Sequence, residues 1–226
     1  MSVLLVAAAL TIAVPTAAEY SSPEAAASFL GPKVHTGTLL ISNGDCVAVK
    51  VFTRSRYTHI ATVVKENGTT WVYESANGKG VQRQRLADYL EAETPNILYV
   101  LNPKRPFSKK RAKIYRQYLD SQLGRPYAIQ HYFTGKRAAG VHCSEYVTDA
   151  LMRCRIIRAK QPSRVTPASL AVGVLQANLY AAECSLELTE AVERPEARNR
   201  CERMWIDTKT CTLQLCLQLR RWFACR

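Results

Sequence analysis

The chain has 226 residues, 47% of them hydrophobic, which is enough to bury one sizeable core. It contains no internal repeat and no low-complexity tract, which excludes a repeat architecture. The net charge of +13 favours anionic partners such as phospholipid headgroups, cell-envelope polymers or nucleic acid. Nothing resembling a nucleic-acid-binding fold accompanies this charge, so no nucleic-acid partner is expected.

The N-terminal segment, residues 1–30, begins like an export signal. An apolar run up to Val14 is followed by small residues, with a cleavage site expected near Ala18. The run is too short to span a bilayer comfortably. No Lys or Arg precedes Lys33, so the basic leader region is missing. Either the true start differs from Met1, or the segment is an apolar helix for packing or for a specialised secretion machine.

A mostly β-branched run, Thr58 to Val64, and a second run, Trp71 to Glu74, flank Asn67-Gly68 and predict a β-hairpin, because Asn-Gly favours a two-residue turn. With the turn centred there, the numbers of facing residues sum to 135, so Ala61 lies opposite Glu74. His59 is then diagonal to Glu74 on the same face, with Cα atoms about 7–8 Å apart. Glu74 is therefore predicted to orient His59 and to stabilise its imidazolium.

A basic helix is predicted after Ser108, which is a suitable N-cap, with Gly124 as its stop. Seven cationic residues are concentrated before and within it: Lys104, Arg105, Lys109, Lys110, Arg111, Lys113 and Arg116. A solvated helix face explains this pattern. A patch that approaches an anionic cell envelope is the alternative.

A further amphipathic helix is predicted to begin at Cys143. Val147, Leu151 and Cys154 follow at helical intervals, so Cys143 lies on the apolar face that packs on the sheet. At the first turn, unpaired backbone N–H groups and the positive end of the helix dipole favour a thiolate. Cys143 and His59 are therefore predicted to be a nucleophile and its base. The alternative is that both are ordinary core residues.

Residues 181–226 are predicted to form a cysteine-rich extension. Five of the eight cysteines lie beyond residue 180, which suggests disulfides and an oxidising compartment. Zinc is not expected, because the chain has no CxxC pair and no histidine follows Cys184.

Within this extension, residues 186–203 are charged and contain Pro195, which predicts a helix-breaking connector. Residues 212–219 alternate leucine with smaller or polar residues, which is the period of a strand. The basic and aromatic end that follows, Arg220 to Phe223, is expected to pack on the domain. Peripheral membrane contact is the alternative.

Several landmarks follow one another in a characteristic order: Gly44-Asp45, Thr58-His59-Ile60-Ala61, Val72-Tyr73-Glu74, residues 86–90, Gly124-Arg125-Pro126-Tyr127, His142-Cys143-Ser144-Glu145 and Thr166-Pro167. They resemble those of NlpC-type papain-like cysteine hydrolases, in the circularly permuted branch that includes YiiX-like proteins and is related to lecithin:retinol acyltransferase. In the ordinary order the cysteine helix precedes the histidine strand, and here the order is reversed. The resemblance implies an α+β, permuted papain-like domain at residues 31–180. The helix of Cys143 would pack on a central antiparallel sheet.

The resemblance also implies that Cys143 is the nucleophile, His59 the general base and Glu74 the residue that orients the imidazole. The backbone N–H of Cys143 is the expected oxyanion donor. No metal or organic cofactor is needed. The residues expected at the substrate side of the cleft are Tyr127, His142 as a cleft wall, and Asp45, for which a structural turn is an equal alternative.

The expected reaction is acyl transfer through a thioester, in which Cys143 attacks a carbonyl and His59 carries the proton. In the resembled families this chemistry cleaves amide bonds in peptidoglycan stem peptides, or moves and hydrolyses acyl groups on lipids. We expect an exported hydrolase of peptidoglycan, with phospholipid as the alternative substrate. Analogy with antibacterial effectors adds an immunity protein as a partner. The non-enzymatic alternative is a disulfide-stabilised module that binds an anionic envelope.

Overall fold

The computed structural model describes residues 17–43, 50, 55–189 and 196–224. Its strands are β1 (Ala18–Tyr20), β2 (Leu39–Ser42), β3 (His59–Glu66), β4 (Thr69–Ala76), β5 (Gly80–Arg85), β6 (Asn96–Pro103) and β7 (Tyr180–Leu188). They form one seven-stranded sheet in the order β1-β7-β6-β2-β3-β4-β5. Neighbouring strands are antiparallel, apart from the short parallel pair of β1 and β7. The predicted α+β class with a central antiparallel sheet is confirmed.

Helices cover both faces of this sheet. The described helices are α1 (Pro23–Leu30), α2 (Leu86–Glu93), α3 (Lys109–Ser121), α4 (Gln130–Thr134), α5 (Cys143–Arg153), α6 (Pro167–Gln176) and α7 (Arg200–Ala224), with a 3-10 turn at Pro162–Arg164. One core cluster holds residues of α1 and α2, and the other holds residues of α3, α5 and α6. Strand β2 joins the two clusters, because Leu39 and Ile41 face one and Leu40 faces the other.

The hairpin of β3 and β4 has the predicted register. Thr62 pairs with Tyr73 and Glu66 pairs with Thr69. The turn residues Asn67 and Gly68 both have positive φ, 48° and 77°, as a type I′ turn requires. The register follows from local turn chemistry, and it fixes which side chains of the two strands can meet.

The helix starts follow from their caps. The Ser108 side chain accepts a hydrogen bond from the N–H of Arg111 at 3.3 Å, which confirms the predicted start of α3. That helix ends at Ser121, shortly before Gly124, whose φ is +82°. The Thr166 side chain caps α6 in a reciprocal box with Ser169.

The strand predicted at residues 212–219 is wrong, because these residues belong to helix α7. Leucine and glutamine are good helix formers, and residues 213–219 contain no β-branched side chain, so helical propensity prevails over a period-2 pattern. The connector predicted at 186–203 is wrong at both ends, since β7 runs to Leu188 and α7 begins at Arg200. Pro195 lies outside the described residues.

The domain boundaries predicted at residues 30 and 180 both fall at residues that belong to the packed fold. Residue 180 opens β7, which pairs with β6 over its whole length, so the core continues into the segment predicted as an extension. At the other boundary, α1 ends at Leu30 and buries this residue against the sheet. Among the described helices, none combines the length and the apolar character that crossing a bilayer requires.

The disulfides predicted for the C-terminal part are not formed among its described cysteines. Cys184, Cys201, Cys211 and Cys216 all carry free thiols. Cys184 is buried in the sheet, whereas the other three lie along one helix. At about 1.5 Å of rise per residue, those three are too far apart along α7 to bridge one another.

Candidate active site

The first residue of β3, His59, meets the buried carboxylate of Glu74 on β4. The His59 Nε2 and Glu74 Oε2 atoms are 2.7 Å apart. This contact is the diagonal pair expected from the hairpin register. It occupies one ring nitrogen and leaves Nδ1 for a second partner.

Two glutamines on β5 hold the other oxygen of this carboxylate. Gln82 and Gln84 donate their side-chain N–H groups to Glu74 Oε1 at 2.7 and 2.9 Å. Burial raises the pKa of Glu74, but hydrogen bonds from His59 and Gln82 lower it, and the pKa lies below its ordinary value. Glu74 is therefore an ionised acceptor that keeps the imidazole in one orientation.

Sequence reasoning missed both glutamines. The sequence pattern that could have revealed them is the alternation of residues 81–85, Val-Gln-Arg-Gln-Arg. In a strand this alternation places the amides of Gln82 and Gln84 on the same face. Assigning that face requires knowing that β5 is the neighbour of β4 and that Gln82 lies opposite Glu74.

Cys143 is the first residue of α5, and its side chain is buried. Burial raises the pKa of the Cys143 thiol, whereas hydrogen bonds with His142 and His59 lower it, and the resulting pKa is about 5. Burial lowers the pKa of His59, but hydrogen bonds with Cys143 and Glu74 raise it well above its ordinary value. The two shifts describe a thiolate beside an imidazolium, which is the pair of charges that a cysteine nucleophile and its acid require.

The structure places His142, predicted as a cleft wall, at the N-cap of α5. Its Nε2 donates to the carbonyl oxygen of Ser163 at 2.7 Å, and its Nδ1 accepts from the N–H of Glu145 at 3.4 Å. Burial lowers the pKa of His142, and its hydrogen bond with Cys143 raises it above the ordinary value. His142 thus caps the helix that begins at Cys143 and lowers the pKa of the Cys143 thiol.

Tyr127, the other substrate-side candidate that the structure describes, lies near the thiol. It forms an isolated parallel bridge with Val141, two residues before Cys143. Burial raises the pKa of Tyr127, and the negative charge of Cys143 raises it further, so the two groups lie within electrostatic reach. Asp45 lies outside the described residues.

A hydrogen bond joins the carboxylate strand to the loop that enters the nucleophile helix. The buried hydroxyl of Ser75, next to Glu74, donates to the carbonyl oxygen of Val141 at 2.7 Å. Arg125 holds the same loop from outside, through the carbonyl oxygens of Ala139 and Gly140 at 3.0 and 2.7 Å. The path of the chain into Cys143 is therefore fixed from two sides.

A network of polar and charged side chains, centred on the buried Glu145, fastens α4 and the following loop to α5. The N–H of Ala138 donates to His131 Nε2 at 2.7 Å, so His131 Nδ1 is the ring nitrogen that donates to Glu145 Oε2, at 2.9 Å. Arg137 bridges Glu145 and Asp149 at 2.9 and 2.7 Å. Sequence reasoning gave no role to His131 or Arg137, because neither stands at a recognisable spacing from the nucleophile.

One group of side chains has metal-ligand chemistry: potential ligand atoms of His59, Glu74 and Glu93 lie within 4.8 Å of one another. Burial raises the pKa of Glu93, whose Oε2 accepts hydrogen bonds from Ser42 and Asn96. A cation at this place would displace the His59–Glu74 hydrogen bond that orients the imidazole. The arrangement therefore does not fit a resident metal together with a functioning base.

Comparisons with known proteins agree with this geometry. A family model described as "Permuted papain-like amidase enzyme, YaeF/YiiX, C92 family" matches residues 33–176. A solved structure, described as metalloprotein yiiX from Escherichia coli O157:H7, is similar with a TM-score of 0.53 and 17% sequence identity, over 67% of this chain and 97% of that one. The comparison with curated proteins gave no match.

At 17% identity the solved structure shows the shared fold. The family match begins three residues after α1, ends at the last residue of α6 and includes the strand of His59 and the helix of Cys143. It supports a cysteine hydrolase type of function. The resemblance inferred from the sequence is confirmed, and the chain belongs to the family of permuted papain-like amidases, YaeF/YiiX, C92.

Proposed function

We propose that the protein is a cysteine amidase that cleaves amide bonds in cell-wall peptides, with Cys143 as nucleophile, His59 as acid and base, and Glu74 as the orienting carboxylate. The main support is the 2.7 Å hydrogen bond between His59 and Glu74, together with a buried Cys143 thiol whose pKa His142 and His59 lower to about 5. A cysteine, a base and a group that orients the base are the parts that thiol-based acyl transfer requires.

In the proposed mechanism the Cys143 thiolate attacks the carbonyl carbon of the scissile amide. The His59 imidazolium gives its proton to the leaving nitrogen, so the C–N bond breaks and a thioester forms. Neutral His59 then takes a proton from water, and the resulting hydroxide attacks the thioester. The acid leaves, and the thiolate and imidazolium are restored.

Hydrogen-bond donors at the start of α5 would stabilise the negative charge that develops on the carbonyl oxygen of the substrate. The N–H groups in the first turn of a helix have no partner within the helix, and the dipole there is positive. We assign the backbone N–H of Cys143 to this role, because it lies next to the reacting sulfur. A donor placed where charge develops stabilises the transition state more than the substrate.

For the substrate we propose amide bonds of peptidoglycan stem peptides. The family description as amidases supports an amide bond, and the net charge of +13 suits an anionic envelope. We further propose export, and an immunity protein as the partner of a secreted effector. The apolar N-terminal segment of the sequence supports the proposal of export.

A second candidate substrate is the acyl group of a phospholipid. The observation that favours it is helix α7, which exposes Met204, Trp205 and Leu215 to solvent. The same thiolate can attack an ester carbonyl, and an alcohol then leaves in place of an amine.

Mass spectrometry of reaction products tests the proposal. Purified peptidoglycan and phospholipid vesicles are incubated in parallel with the wild-type protein, with Cys143→Ala and with Cys154→Ala. Cys154 is the matched control, because it lies at the other end of α5 and burial raises its pKa to about 11. We expect new stem-peptide fragments with the wild type and Cys154→Ala only. Lysophospholipid or free fatty acid would assign the lipid substrate. If neither peptidoglycan nor phospholipid gave a product, both substrate proposals would be contradicted.

A further inference from the structure

Helix α7 exposes large apolar side chains. Met204, Trp205 and Leu215 are 69%, 61% and 55% exposed, and Leu213 and Leu219 are exposed as well. Single exposed apolar residues are common on proteins, but several along one helix mark an interaction surface.

Apart from Leu213, which lies on the opposite side, these side chains are not scattered around the helix. At 3.6 residues per turn, one side of α7 carries an exposed group that we call the apolar stripe: Met204, Trp205, Thr208, Cys211, Thr212, Leu215 and Leu219. The half-buried residues of the helix lie on the opposite side, at Glu202, Ile206 and Thr210. The stripe therefore faces solvent.

The hydroxyls of the two threonines in the stripe donate hydrogen bonds to backbone carbonyls of the same helix. The Thr208 hydroxyl donates to the carbonyl oxygen of Met204 at 2.7 Å, and the Thr212 hydroxyl donates to that of Thr208 at 2.8 Å. A hydroxyl whose hydrogen is already bonded costs little to move out of water. The stripe can thus enter an apolar phase without leaving these donors unpaired.

The charge of the helix identifies the partner. Residues 200–224 contain five basic and two acidic side chains, which gives a net charge of +3. Lys209 lies over the Trp205 ring at 5.1 Å, so a cation stands beside the largest aromatic group of the stripe. Two such helices repel each other, and so do two chains of charge +13, whereas an anionic lipid surface attracts both.

We propose that α7 is an interfacial helix that docks the protein on an anionic phospholipid surface, with the apolar stripe inserted among the lipids and the basic side chains at the headgroups. A helix with one apolar face, basic residues and an aromatic anchor has the properties of helices that lie in a membrane interface. This docking is independent of the hydrolase chemistry and would hold for a peptide or a lipid substrate.

The test is co-sedimentation of the full chain with vesicles of phosphatidylglycerol and phosphatidylcholine, and with vesicles of phosphatidylcholine alone. We expect binding to the anionic vesicles that weakens in about 0.5 M salt. The double variant Trp205→Glu/Leu215→Glu should lose at least about tenfold in binding. The control is Leu123→Glu, an exposed leucine outside α7, which should bind like the wild type.

Alkylation of Cys143 shows whether the core of each variant is folded, because that reactivity depends on the packing of α5 on the sheet. Equal binding of the stripe variant and the control would overturn the proposal, as would equal binding to both kinds of vesicle. Sedimentation equilibrium of the wild type provides the other decisive outcome. A dimer that forms without lipid and is lost in the stripe variant would assign the stripe to a second copy of the chain and contradict lipid docking.

Discussion

The hydroxyl of Ser75 donates a 2.7 Å hydrogen bond to the carbonyl oxygen of Val141. It joins the strand of the orienting carboxylate to the loop that leads into Cys143, so this contact links the two halves of the site. The carbonyl of Val141 also accepts from the N–H of Ala128 at 3.3 Å, so the loss of Ser75 would not leave it unpaired.

We therefore expect Ser75→Ala to lower the free energy of unfolding by only about 1 kcal/mol. Turnover should fall more than this loss of stability accounts for, because the backbone before Cys143 is less well fixed. Urea unfolding and product formation measure the two effects. Ser121→Ala, which removes two exposed hydrogen bonds at the end of α3, to Tyr118 and from Gln122, is the control and should change neither. Full activity in Ser75→Ala would show that the contact does not position the nucleophile.

The reactivity of Cys143 should persist into acid. Only the thiolate is alkylated, and the pKa of about 5 keeps the thiolate populated at every pH above that value. We expect the iodoacetamide rate at Cys143, followed by peptide mass spectrometry, to fall only as the pH drops through about 5. Cys154, whose pKa burial raises to about 11, is the internal control and should react slowly at neutral pH.

The same titration in His59→Ala should move the inflection upward, towards the ordinary cysteine value of about 8.5. The reason is that a hydrogen bond and the charge of His59 both lower the pKa of the Cys143 thiol. An unchanged profile in His59→Ala would mean that His59 does not activate the cysteine.

Glu74→Gln keeps the shape of the side chain and removes its charge. We expect kcat to fall roughly 10²- to 10⁴-fold with little change in KM, because the imidazolium loses its counter-charge and its fixed orientation. Glu91→Gln is the matched control, since Glu91 is exposed on α2. Wild-type turnover in Glu74→Gln would remove this residue from the catalytic group.

The glutamines of β5 should influence the acidic limb of the pH–rate profile. The hydrogen bond from Gln82 lowers the pKa of Glu74, so Gln82→Ala should raise that pKa. Since Glu74 must be ionised, activity would then be lost at a higher pH as the solution is acidified. The double variant with Gln84→Ala should show the larger shift. Arg85→Ala, an exposed residue at the end of the same strand, serves as the control and should leave the profile unchanged.

Divalent metal should inhibit the enzyme. Zn²⁺ bound by His59, Glu74 and Glu93 would occupy the ring nitrogen that now bonds to Glu74. We expect EDTA to leave turnover unchanged and added Zn²⁺ to reduce it, less strongly in Glu93→Gln. Loss of turnover on chelation, restored by metal, would contradict the purely cysteine-based mechanism.

Those parts of the site that depend on local signals could be predicted from the sequence. The Asn67-Gly68 turn fixed the register of β3 and β4, and that register alone brought His59 to Glu74. Helical spacing after Cys143 placed the cysteine at the start of an amphipathic helix, where the structure has it. Both predictions rest on residues within a few positions of one another.

Parts that depend on which strand lies beside which could not be predicted in this way. Gln82 and Gln84 matter only because β5 pairs with β4, and Ser75 matters only because the loop before Cys143 crosses that strand. The C-terminal helix was missed for a different reason. Leucines at every second position are compatible with a helix as well as with a strand. Only the absence of β-branched side chains distinguished the helix from the strand.

The wide separation of His59 and Cys143 along the chain bears on how the enzyme acquires its reactivity. Synthesis delivers the base and its carboxylate first, and the cysteine follows with an ordinary thiol. Only when α5 docks on β3 and β4 does His59 join His142 in lowering the pKa of that sulfur by more than burial raises it. A nascent or unfolded chain therefore holds no activated thiolate, and the cell that makes the protein meets the reactive group only after folding is complete.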